Sequence, residues 1–199
     1  MKRDGLRGGG QFGCRLLAML RCLAFVFAAM LFGCATGHHV RLNHYPWSTE
    51  EFQITFPSAG WRFITSLTSN GEHHEFYECR SLFSCGGSGQ VGVSSYLPTH
   101  SGTGPASPEA VFTNVTNFLS QSYSLSVIVV RRTDDTITWE WSGVSKSNAA
   151  PQSGVEQVVR GERGTYRLRY VSGSAALTPT QRRIWIPIIQ NAKLSRRAA

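Results

Sequence analysis

Ile137 to Trp141 reads apolar, polar, apolar, polar, apolar, so an extended chain places Ile137, Trp139 and Trp141 on one side and Thr138 and Glu140 on the other. Alternation with period two fits a strand with one buried face and does not fit an amphipathic helix. The pattern recurs. "EFQITF" (51–56) aligns Phe52, Ile54 and Phe56, and "TYRLRYVS" turns Tyr166, Leu168 and Tyr170 inward and Arg167 and Arg169 outward. "WRFITSLT" and "HHEFYECR" flank Asn70-Gly71, the strongest two-residue hairpin signal. "VGVSSYL" (91–97), "LSVIVV" and "VEQVVRGE" supply further strands, and "PTHSGTGPAS" (98–107) and "GVSKSNAAPQSG" (143–154) read as loops.

Helical spacing is confined to two segments. Ser107-Pro108-Glu109 provides a capping hydroxyl, a proline at the first helical position and an acid in the first turn. Val111, Phe112, Val115, Phe118 and Leu119 follow on one face. Thr178-Pro179 opens a closing helix through Ile184, Trp185, Ile188 and Ile189, with Pro187 expected to kink it. Antiparallel strands joined by short turns, with two helices, predict an α+β domain packed in layers.

Ahead of this domain, the apolar run Leu23–Phe32 has 10 residues. A membrane-crossing helix needs about 20. Lys2, Arg3, Arg7, Arg15 and Arg21 precede the run, which gives the form of a secretory signal. Leu31-Phe32-Gly33-Cys34 resembles the lipobox of bacterial lipoproteins, with Phe32 at a position where a small residue is more usual. That resemblance implies cleavage before Cys34 and lipidation of its sulfur, with membrane anchoring through the acyl chains. The expected organisation is a signal peptide over 1–33, a flexible tether over 34–49 and a single α+β domain over 50–196. The same resemblance implies, through Ala35 next to Cys34, an outer-membrane location facing the periplasm over an inner-membrane one.

Removing 33 of the 199 residues leaves 166, enough for one domain with a core. Five of the 20 Lys and Arg and one of the 12 acids leave with the leader, so the net charge falls from +8 to +4. A charge this mild, with no basic stripe interleaved with aromatics, argues against nucleic acid as a partner. Arg196 and Arg197 fall in an expected frayed tail. Cys79 and Cys85 remain as an even pair in an oxidising compartment, and their C-x5-C spacing matches neither a C-x-x-C redox motif nor a zinc knuckle. A structural disulfide is expected.

"FQITFPSAGW", the capped central helix, "WEWSG" and "GTYRLRYVSG…TPTQRRIWIPIIQNAKL" together resemble the PsbP-like (DcrB-like) fold family over about Phe52 to Leu194. The resemblance implies a layered sandwich, a curved antiparallel sheet of about six to seven strands with two packed helices. It also implies a role in binding other proteins, and it transfers no catalytic or metal residue.

The candidate sites are few. "GSGQVG" (87–92) spells G-x-G-x-x-G, but a strand is expected after it where a dinucleotide site needs a helix. His73, Glu75 and Cys79 share one strand face and could bind zinc if Cys79 were free; the alternative is a solvated hairpin tip. His38, His39 and His44 suit a polar spacer as well as a loose metal site. Arg160, Arg167 and Arg169, with Glu140 and Glu156, are expected to form cross-strand pairs on a solvated face where an acidic partner could dock. No G-x-S-x-G or comparable nucleophile motif occurs. The expectation is a non-enzymatic envelope protein without a cofactor, an interaction or accessory module for another envelope protein. The competing reading is a small-ligand or metal carrier with a pocket between sheet and helices lined by Trp139, Trp141 and Trp185.

Overall fold

A computed structural model describes residues 38–42, 50–58, 60–69, 72–79, 89–96 and 106–196. Ten strands and two helices are described: β1 (His38–Leu42), β2 (Glu50–Phe56), β3 (Trp61–Ser69), β4 (Glu72–Cys79), β5 (Gln90–Tyr96), α1 (Pro108–Ser122), β6 (Tyr123–Arg132), β7 (Thr136–Ser145), β8 (Pro151–Arg160), β9 (Thr165–Ser172), α2 (Pro179–Gln190) and β10 (Lys193–Arg196). Seven strands form an antiparallel sheet in the order β3-β4-β5-β9-β8-β7-β6, and three form a second sheet in the order β1-β2-β10. The class is α+β, and the large sheet is open at both ends.

Both faces of the large sheet are covered at its centre. Tyr166, Leu168 and Tyr170 of β9 face a core shared with the small sheet and α2, where Phe52, Phe56, Trp61 and Trp185 meet them. Tyr170 stacks on Trp185 at 4.2 Å between ring centroids, and Trp61 stacks on Phe56 and meets Trp185 edge-on, each at 5.0 Å. On the opposite face α1 lays Val111, Val115 and Leu119 over Ile137, Trp139, Trp141 and Val158. Offset and edge-to-face ring pairs each add about 0.5–1.5 kcal/mol beyond the area they bury.

The helix ends follow the sequence signals. Ser107 Oγ accepts the Ala110 N–H at 3.1 Å, and Thr178 and Gln181 form a reciprocal capping box. The helix α2 continues through Pro187. Phe118, placed on the buried face by its spacing, is instead 67 % exposed at the flank of α1.

Three expectations about chain order need correction. His38–Leu42, assigned to the tether, is a strand antiparallel to β2, with Leu42 fully buried. Arg196, expected in a frayed tail with Arg197, instead ends the strand Lys193–Arg196, which pairs with β2 on its other side, and it grips Glu162 with both Nε and Nη2. Residues 143–154 are mostly strand, because β7 and β8 continue pairing as far as Val144 opposite Pro151. The reversal is a tight turn in which Ser145 N–H donates to the Ala150 carbonyl and Ala149 adopts a φ of 55°. The β3–β4 ladder closes on Ser69 opposite Glu72, as the Asn70-Gly71 hairpin requires, although those two residues lie outside the described residues.

Gly154 sits where the strands pack closest. A Cβ there would lie 2.6 Å from the Tyr170 carbonyl oxygen and 2.9 Å from Trp141 Nε1. Backbone on one side and a buried indole on the other leave little room to yield. Gly154→Ala is therefore expected to lose about 1–3 kcal/mol of stability, read as a lower midpoint in denaturant titration.

Candidate functional site

Directly opposite residues of antiparallel neighbours share a face, so the registers define rows that cross the sheet. One row runs Trp139, Glu156, Arg169, Gly92, Phe76 through β7, β8, β9, β5 and β4. The next runs Ile137, Val158, Arg167, Ser94, His74. These rows bring the two β9 arginines and Glu156 together on the α1 side of the sheet.

That face is not solvated around β8 and β9, contrary to the sequence expectation. Arg167 is 8 % exposed and Glu156 is fully buried. Arg167 Nε donates to Glu156 Oε2 at 2.6 Å, and Trp141 Nε1 donates to Glu156 Oε1 at 2.7 Å. Both carboxylate oxygens are thereby satisfied, which a buried charge requires. Burial pulls the Arg167 pKa down, but the adjacent Glu156 charge and hydrogen bond, with the Tyr96 hydroxyl behind them, raise it overall.

Arg169 lies directly opposite Glu156 in register, yet Glu156 is held by the diagonal Arg167 instead. The Arg169 guanidinium swings the other way, across Gly92, with its Cζ 5.4 Å from the centroid of Phe76. Gly92 makes that possible, since a Cβ there would lie 2.6 Å from Arg169 Nε. Arg169 is partly buried and makes no hydrogen bond or ion pair among the described residues. Burial, and after it the Arg167 charge, lower its pKa. His74 completes the edge of the patch, with Nδ1 2.8 Å from Ser94 Oγ and Nε2 3.3 Å from Glu72 Oε2. Its pKa is lowered mainly by burial, with Glu72 opposing and the two arginines reinforcing.

Arg160, the third predicted arginine, does not join the patch. It pairs with Asp135 at 3.7 Å beside a groove of about 410 Å³, where Arg132 pairs with Glu109 at 3.7 Å. Glu140 points to the other face of the sheet and pairs with Arg182 at 3.0 Å. Of the expected cross-strand pairs, only Arg167–Glu156 forms.

His73 and Glu75 are not at a solvated hairpin tip. They are 5 % and 1 % exposed, because the β4 face that carries them turns toward the aromatic core. His73 Nδ1 lies 2.8 Å from Thr68 Oγ1 and its Nε2 lies 3.3 Å from Glu75 Oε1, while Tyr77 donates to Glu75 Oε2 at 2.7 Å. Burial, and then the Glu75 charge, push the Tyr77 pKa up. The string satisfies a buried carboxylate. No group of three His, Cys, Asp or Glu side chains among the described residues is placed to hold a metal ion, so His73, Glu75 and Cys79 do not assemble as a three-ligand site.

The aromatic pocket lined by Trp139, Trp141 and Trp185 is excluded by topology. Trp139 and Trp141 pack under α1, whereas Trp185 packs beneath the opposite face of the sheet. Cys34, Cys85, Arg197 and His44 lie outside the described residues. Gln90–Gly92 of "GSGQVG" lie in β5, a strand where a dinucleotide site needs a helix, and Gly87 and Ser88 lie outside the described residues. Among the described residues no helix is long and apolar enough to cross a membrane.

The buried pair yields a test that separates charge from packing. Glu156→Ala strands Arg167 and is expected to cost about 3–5 kcal/mol, whereas Glu156→Gln with Arg167→Met should recover most of that loss. A double-mutant cycle in denaturant measures both. By the same reasoning Arg167→Glu, which on a solvated strand would be nearly neutral, sets two carboxylates together in a dry site and is expected to unfold the domain.

No family model matches this chain, and no curated protein matches it. Among solved structures it is similar to the "Crystal structure of LpqN involved in cell envelope biogenesis of Mycobacterium tuberculosis", with 10 % identity over 79 % of this chain and 90 % of that chain and a TM-score of 0.42.

Proposed function

We propose that this is a lipid-anchored envelope protein, held by acylated Cys34 on the periplasmic side of the outer membrane, and that it binds a partner without catalysing a reaction. Arg169 is the recognition residue. The observation that carries this reading is a partly buried guanidinium braced on Phe76 that makes no ion pair among the described residues, one register step from an arginine that makes one. A cation held this way favours an incoming anion, because the anion restores what burial and Arg167 remove. The partner is an envelope protein presenting a carboxylate. No cofactor enters this reading, and a Cys79–Cys85 disulfide would close the chain beyond β4.

Gly92→Ala tests the reading, because the Cβ displaces only the flexible Arg169 side chain. In full-length protein solubilised from the envelope, Gly92→Ala and Arg169→Gln are each expected to abolish chemical cross-linking to an acidic partner. Thermal stability should change little. Undiminished cross-linking in both variants refutes Arg169 as the recognition residue. Anchoring is tested apart from recognition. Cys34→Ser is expected to leave an uncut precursor without palmitate label, and a persistent label refutes the anchor.

A further inference from the structure

We infer that the corner of the domain where β1 begins rests on the bilayer, with Phe63 and Ile64 of β3 in contact with the phospholipid surface. The inference rests on the lipidation of Cys34 proposed above and adds to it which face of the domain the membrane covers. His38, the fourth residue after Cys34, is already in β1 and paired with Phe56 of β2. A stretch of that length spans at most about 14 Å when fully extended. β1 cannot serve as slack, because it pairs with β2 along its whole length and ends on the fully buried Leu42. Acyl chains on Cys34 therefore hold the start of β1 close to the lipid.

The core fixes what else lies at this corner. Phe56, opposite His38, stacks on Trp61 at the start of β3 with 5.0 Å between ring centroids. Phe63 and Ile64 follow on β3, a terminal strand of the large sheet, and are 52 % and 41 % exposed. Exposed apolar groups gathered in one place mark a membrane or protein contact. Here the anchor selects the membrane, since a short tether keeps the corner at the lipid surface, where even a weak apolar contact is sufficient. Arg62 beside them is exposed, and so is Glu78 opposite it in register. The two add no net charge, so the contact does not require acidic lipid. β2 also sets which end points away. At its other end Glu50 accepts the Glu162 N–H in the turn between β8 and β9. The turn between β6 and β7 lies at that same end, where the Asp135 carbonyl accepts the Arg160 N–H, and it carries the exposed Asp134.

The test uses the full chain, processed in the envelope and reconstituted in neutral phosphatidylcholine vesicles that contain nitroxide-bearing lipid. An environment-sensitive fluorophore attached at Phe63→Cys or at Ile64→Cys is expected to shift to the blue and to be quenched by the nitroxide. The same fluorophore at Asp134→Cys should do neither. The parent chain, treated alike, gives the background from Cys79 and Cys85. Palmitate incorporation into the same preparations reads the anchor separately. A palmitate-bearing chain whose fluorophores at Phe63→Cys and Ile64→Cys stay in water overturns the inference and leaves the anchor standing. A chain without palmitate overturns both. A blue shift without nitroxide quenching places a protein rather than lipid on the corner and overturns the inference, as does equal quenching at Asp134→Cys.

Discussion

Glu156 is the point on which the large sheet turns. It is fully buried on β8 at the centre of the sheet, and it holds Trp141 of β7 and Arg167 of β9 with its two oxygens. A carboxylate at that depth is tolerated only while both partners stay, so the strands on either side are fixed in register as well as in contact. One strand step away, Gly154 admits the Trp141 indole and Tyr170 backbone at distances no other residue allows. The pair also sets the fate of the second arginine. With Glu156 hydrogen-bonded to Arg167 and Trp141, the Arg169 guanidinium lies over Phe76 instead.

Most of the strands and both helices were legible because their signals are local. Trp139 and Trp141 on one side of β7, and Tyr166, Leu168 and Tyr170 on one side of β9, point where the alternation says they should. Ser107-Pro108 and Thr178-Pro179 start helices where capping chemistry says they should. The misreadings came from partners far away in the chain. His38–Leu42 offers only Val40 and Leu42 as alternating apolar residues, too short a signal to read alone, and it pairs along its length with β2. Lys193–Arg196 pairs with β2 on its other side. The ends of β7 and β8 carry Gly143, Asn148 and Pro151, which suggest a loop, yet the ladder absorbs all but a few residues into pairing.

The site failed to read for a related cause. Arg167 and Arg169 alternate with apolar residues, and the period-two rule assigns polar positions to water. It has no means of knowing that α1 lies over the same face, or that Glu156 is set one strand away to neutralise one arginine and not the other. The same limit applies to His73 and Glu75, polar by composition and buried by topology. A hint was present in Glu156 itself, an acid inside the apolar run "VEQVV", where a strand buried on both faces would place one only with a partner.

The small sheet carries a consequence for the order in which the chain can fold. Its middle strand, β2, is an early segment, while one of its neighbours, β10, and the helix α2 with Trp185 come from the last residues described. Glu50 at the start of β2 also waits, for its carboxylate accepts the N–H groups of Glu162 and Arg163 more than a hundred residues later. Until those segments arrive, the inward face of β9 has no cover and β2 lacks one of its two neighbours. Contacts of such long sequence separation slow folding and gather it into a late step. A chain built this way can pair its local hairpins early, but it seals the aromatic core only once its final segments have joined β2 and β9.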